Sequence, residues 1–304
     1  MASNAPKTLP LTLFLAPVGV HYFLRGQSSR RILDFNDSTL PQELPPPPPP
    51  LPVTPIRTDE NPVFDLVDVL LVVFVAVGSL VFCSIVAAGI FLAIYPSRNL
   101  DTKALASNAL LIIPAQVAAY ILTVGFMVFI LWTRYRTALL PAVRWNRPDS
   151  KIAWQALAGG AGMAIVSQLL SAALERWIPK SLPIDQFFRT PASAYMLSAF
   201  GILVAPLVEE LFFRGFLYPA LARPLGMAPA TAITAAGFAL LHAGQLAHAW
   251  APLLILFGVG TVLTVVRART KSVAVCVVIH MGYNFTLFTT LFIATQGFHH
   301  MERA

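Results

Sequence analysis

From residue 63 onward the chain is built of long apolar blocks separated by short polar or basic connections. Seven blocks reach spanning length: Val63–Tyr95, Asn108–Trp132, Ile152–Trp177, Ala192–Leu217, Ala228–Leu246, Trp250–Val266 and Ser272–Thr295. A helix rises about 1.5 Å per residue and the hydrocarbon core is about 30 Å thick, so a run of about 20 apolar residues reads as a crossing helix. Barrel strands are excluded, because these runs are continuous rather than alternating and far exceed about 10 residues. Inside a bilayer every backbone N–H and C=O must be bonded within the protein, which leaves helices. The pattern therefore predicts an all-α, polytopic transmembrane helical bundle of about seven spans.

The first 60 residues differ. An apolar stretch from Leu9 to Val20 is broken by Pro10 and Pro17 and is too short to span. No small-residue cleavage site follows it, and His21, Arg25, Arg30 and Arg31 come soon after, so it reads as an interfacial or disordered arm rather than a signal peptide. Pro45 to Pro50 form an uninterrupted proline run, predicting polyproline II and a semi-rigid linker over residues 41–58. The expected organisation is an arm with its linker over 1–60, N-terminal transmembrane helices over 61–178, a second transmembrane core over 179–297 and a tail over 298–304.

Composition agrees: 57% of the residues are hydrophobic and 12% charged, and mean hydropathy is +0.70. The formal net charge of +7 does not imply a nucleic-acid partner, since the cations sit in short connections where they set topology. The 134–151 connection holds Arg134, Arg136, Arg144, Arg147 and Lys151, the 267–271 connection holds Arg267, Arg269 and Lys271, and the 244–250 connection holds none. The positive-inside rule then predicts a cytoplasmic N-terminus, against which Arg176, Lys180 and Arg189 on the opposite side count. The multi-pass setting expected is an inner, plasma membrane of bacterial type. Cys83 and Cys276 lie within apolar blocks and predict small buried side chains rather than a disulfide framework.

Ionisable side chains inside a bilayer cost about 2.5–3.5 kcal/mol each on insertion scales, so each is a functional candidate. The first three blocks carry such groups only near their edges, whereas the later ones carry Glu209, Glu210, Arg214, His242, His280 and Asn284. With alternating spans, Glu209 and His280 lie about 12 Å deep and His242 and Asn284 about 18 Å deep. Three different helices thus bring polar groups to nearly one level. His280 and Asn284, Phe238 and His242, and Glu210 and Arg214 are each four apart and share a helix face. Glu209 and Glu210, being adjacent, point about 100° apart and divide their roles. A carboxylate beside an imidazole can take a proton from water and return it to a leaving amine, and further imidazole and amide donors can hold the developing oxyanion. Equally, Glu209, His242 and His280 could be three ligands of a catalytic zinc. Residue types and spacing leave both open; neither HExxH nor GxSxG occurs.

EELFFR from Glu209 to Arg214, FALLH from Phe238 to His242 and HMGYN from His280 to Asn284, in this order on separate helices, resemble the CAAX protease and bacteriocin-processing family of intramembrane endopeptidases. The resemblance covers about residues 180–290. It implies that Glu209 and His242 activate the water and that His280 and Asn284 form the oxyanion hole. It further implies that Glu210 and Arg214 shape the site while Phe238 packs beside His242. The substrate it implies is a peptide or membrane protein in the lipid bilayer, lipidated or not, cut near the cytoplasmic face. Two other function classes fit a buried Glu/His set: a proton-coupled transporter, against which the lack of an inverted repeat counts, and a non-catalytic immunity or scaffold protein.

Overall fold

The computed structural model describes residues 62–95 and 108–300. The arm, its proline linker and the last residues of the tail lie outside them. Helix α1 spans Leu66–Ile94, α2 Ala109–Tyr135 and α3 Ser150–Ala173. A continuous helix α4 follows over Pro191–Leu225, then α5 over Met227–Leu241, α6 over Trp250–Thr270 and α7 over Val273–Ala294. Among the described residues every regular element is helical.

Six of these helices are long and apolar enough to cross a membrane, and the chain is a multi-pass membrane protein. The exception is α5. The apolar block Ala228–Leu246 predicts a span, yet the helix stops at Leu241 after 15 residues, about 22 Å, and turns carry the chain to Ala249. Ala243, Leu246 and Ala247 look helical by composition. Gly244 gives no side chain to hold a further turn, and Ala247 and His248 take left-handed φ angles of 52° and 56°. At the other extreme, α4 continues beyond the expected end at Leu217 to Leu225.

Short polar side chains start the helices as their positions lead one to expect. Asp65 and Asp68 form a capping box on α1, and Asn108, Asp149, Thr190 and Ser272 each accept a bond from a first-turn amide of α2, α3, α4 and α7. Outward faces are apolar: Leu70, Phe74, Val77, Phe82 and Ile85 of α1 are all more than half exposed, as a lipid-facing surface requires.

The helix ends sort to two sides of the bundle as alternating spans demand. Asp68 at the start of α1 accepts from Arg134 and from the Tyr135 hydroxyl at the end of α2, the latter at 2.5 Å. Phe64, just before α1, stacks on Phe216 of α4 with ring centroids 4.2 Å apart. The Ser272 hydroxyl donates to the Asn146 carbonyl at 2.5 Å, and Asn146 Nδ2 donates to the Lys271 carbonyl at 2.7 Å. The two connections richest in Lys and Arg therefore meet on one side.

Helix α7 is held against α3 at a seam of glycines. A Cβ on Gly160 would lie 2.1 Å from the Ile279 carbonyl oxygen, and one on Gly282 would lie 2.8 Å from that of Leu157. Only hydrogen at both positions permits this approach, the small-residue packing expected between helices in lipid.

Candidate active site

Helix α4 carries two π-helical stretches, Phe200–Val204 and Leu211–Leu217, and Glu209 and Glu210 stand on the α-helical turn between them. A π stretch inserts a residue into the helical register and re-aims the side chains that follow, a device common at functional sites. Here it turns Glu210 and Arg214 into the protein interior, where neither has any exposed surface.

Two charges in that position need full satisfaction, and Arg214 obtains it. Its Nη1 donates to Glu210 Oε1 at 2.8 Å, Nη2 to the Gly260 carbonyl at 2.9 Å and Nε to Thr264 Oγ1 at 3.3 Å. Thr264 in turn donates to the Gly260 carbonyl at 2.7 Å. Gly260 sits with its Cα side against Ala235, where an added Cβ would be 3.1 Å from the Ala235 Cα, so α5 and α6 close around the guanidinium. The Phe238 ring covers it from α5 with its centroid 4.7 Å from Arg214 Cζ, a cation–π contact in a dry setting.

His280 of α7 reaches the same carboxylate: its Nδ1 lies 2.9 Å from Glu210 Oε1. A carboxylate paired with arginine only accepts, so Nδ1 carries the proton, and Nε2 is turned towards Glu209, whose Oε2 is 3.9 Å away. The two adjacent glutamates thus address opposite nitrogens of one ring. Phe238 packs between the two histidines, with centroid distances of 5.0 Å to His242 and 5.7 Å to His280. His242 closes the C-terminus of α5, and its Nδ1–H donates to the Phe238 carbonyl at 2.9 Å, leaving Nε2 as the bare nitrogen. Asn284, one turn beyond His280, donates from Nδ2 to the Gly201 carbonyl at 2.6 Å, where α4 is π-helical.

Glu210, Arg214, Phe238 and His280 are therefore gathered into one buried cluster, with the partly exposed Glu209 facing it, His242 joined to it through Phe238 and Asn284 at its edge. The partner facing Glu209 is His280 rather than His242. Among the described residues no group of three or more His, Cys, Asp and Glu side chains is arranged to hold a metal ion. Gly260 and Thr264 escape sequence reading because one contributes only a carbonyl and the other is a common helical residue.

The segment that supplies all of these side chains begins at the first residue of α4 and ends just after Asn284. Residues 191–286 match the family of Rce1-like type II CAAX prenyl endopeptidases. No curated protein and no solved structure matches the chain significantly. This match over about a third of the chain agrees with the resemblance carried by the three sequence motifs. Helices α1 to α3 lie outside it, though α3 presses on α7 at the glycine seam.

Proposed function

We propose that this protein is an intramembrane endopeptidase in which Glu209 is the general base that activates water. The observation that carries the reading is the opposition of Glu209 Oε2 and His280 Nε2 at 3.9 Å inside a helical bundle, with Glu210 and Arg214 fixing the imidazole from behind. That gap is too long for a direct hydrogen bond and suits one water held at about 2.8 Å from each atom.

In the reaction, Glu209 takes a proton from the water as its oxygen bonds to the substrate carbonyl carbon, and the C=O π electrons move to oxygen. His242, whose bare Nε2 can accept a hydrogen bond, assists at the water. His280, when Nε2 is also protonated, and the Asn284 amide donate to the oxyanion. As the oxyanion collapses, the C–N bond breaks and the proton on Glu209 passes to the leaving amine, giving one new carboxylate and one new amine. Glu210 and Arg214 take no proton; they hold the ring.

The substrate class follows from the family: a peptide or membrane-protein segment entering from lipid, with prenylated CAAX-terminated peptides as the first to test. The full-length protein in lipid vesicles should cleave such a peptide, and Glu209→Gln should abolish cleavage while leaving thermal unfolding unchanged. A prenylated and an unprenylated peptide of one sequence then measure the contribution of the lipid. Activity that survives exhaustive chelation supports the metal-free reading, and loss that zinc restores supports the metal reading. Unaltered cleavage in Glu209→Gln would overturn the assignment of the base.

A further inference from the structure

The Asn284 side chain can hold an oxyanion only through its NH2 group, so something must fix which end of the amide faces which way. The Gly201 carbonyl of α4 does so, lying 2.6 Å from Asn284 Nδ2. A carbonyl oxygen only accepts, so it binds the NH2 end of the amide, and Nδ2 keeps a second hydrogen to give. The same face of α7 also covers the Cα of Gly201. Phe288, four residues after Asn284, lies so close that a Cβ on Gly201 would be 2.8 Å from its ring. Asn284 and Phe288 therefore straddle Gly201, one turn of α7 beyond His280.

A carbonyl inside a helix is ordinarily taken by the amide four residues on, or five on where the helix is π, and for Gly201 both are withheld. Ala205, four residues on, gives its N–H to the Phe200 carbonyl in the π register. The residue five on is Pro206, which has no N–H. A backbone carbonyl left open within a bilayer requires a partner from a neighbouring helix, and Asn284 is that partner. We propose that Pro206 is a positioning residue for the Asn284 amide. By lacking an N–H it reserves the Gly201 carbonyl for Nδ2, which sets the orientation of the amide and leaves its second hydrogen for the oxyanion. Pro206 itself touches neither water nor substrate in this scheme. The proposal rests on the endopeptidase reading above.

Full-length protein in lipid vesicles and a prenylated CAAX-terminated peptide serve for the test. Pro206→Ala supplies the missing N–H, which the Gly201 carbonyl can take within α4. The change removes a proline from a helix interior, so thermal unfolding should be unchanged or raised. Activity should fall all the same, with kcat about tenfold lower and KM within about twofold, because the released amide loses its orientation. Asn284→Ala should lower kcat on the order of 10²-fold, the usual loss for one oxyanion donor. The decisive protein carries both substitutions: if Pro206 acts through Asn284, its kcat equals that of Asn284→Ala alone, whereas independent structural damage would multiply the two losses. Multiplied losses, wild-type kcat in either single variant, or a loss in Pro206→Ala that only tracks a loss of folded protein overturns the proposal. If the wild type fails to cleave, or Glu209→Gln cleaves as well as wild type, the underlying reading fails and the proposal falls with it.

Discussion

Glu210 and Arg214 are both fully enclosed, so each is tolerable only because the other is present. Removing one partner of a buried ion pair leaves an uncompensated charge and costs about 3–5 kcal/mol, while replacing both with apolar groups of similar volume is often close to neutral. Arg214→Met should therefore destabilise strongly, and the double variant Glu210→Met with Arg214→Met should regain most of that loss in thermal unfolding. Cleavage should not return, because His280 has then lost the acceptor at 2.9 Å that fixes its Nδ1 proton and aims Nε2. A double variant as unstable as the single one would deny that the pair is simply a compensated charge. The pair itself was legible as an i,i+4 spacing, as were Phe238 with His242 and His280 with Asn284. What spacing could not supply was the third dimension: that Glu210 serves His280, that Gly260 and Thr264 hold Arg214, and that Glu209 faces His280 before His242.

At the scale of elements, α7 contributes His280 and Asn284, and its position depends on α3 through the glycine seam. Gly160→Ala places a methyl 2.1 Å from the Ile279 carbonyl oxygen, one residue before His280, so the helices must separate. Overpacking of this kind costs about 1–3 kcal/mol, and a displacement near 1 Å in a reacting group can cost about 10²-fold in rate. Gly160→Ala should thus reduce cleavage far more than it reduces helix content, whereas Gly159→Ala and Gly162→Ala, whose Cβ atoms would meet nothing within 4 Å, should behave as wild type. Circular dichroism with cleavage rates separates the two outcomes, and equal activity in all three would refute the seam. The apolar blocks began within about three residues of the helices, and Asp65, Asn108, Asp149, Thr190 and Ser272 cap five of them. Their ends were less plain: the π stretches of α4 and the early stop of α5 arise from tertiary packing and left-handed turn residues, and Ala, Leu and Phe sequences carry no mark of either.

For the whole molecule, alternating helices put the ends of α2, α4 and α6 on one side together with the starts of α1, α3, α5 and α7. Arg134, Arg136, Arg144, Arg147 and Lys151 lie on that side with Arg267, Arg269 and Lys271, while Arg176, Lys180 and Arg189 lie on the other. Cations flanking short connections resist translocation, so the richer side is predicted to be cytoplasmic. Arg147 and Lys180 are both exposed and make a matched pair of probes. Cys83 and Cys276 are buried and give little background with an impermeant thiol reagent. In sealed right-side-out vesicles Lys180→Cys should label at once, and Arg147→Cys only after permeabilisation. The result also fixes where cleavage occurs. Glu209 lies about one to two helical turns, roughly 10 Å, from the level of Phe216 and Phe64 at the basic side. The predicted orientation therefore places the Glu209–His280 pair nearer the cytoplasmic leaflet. Labelling in the reverse order would move it to the outer leaflet and require substrates to present their scissile bond from that side.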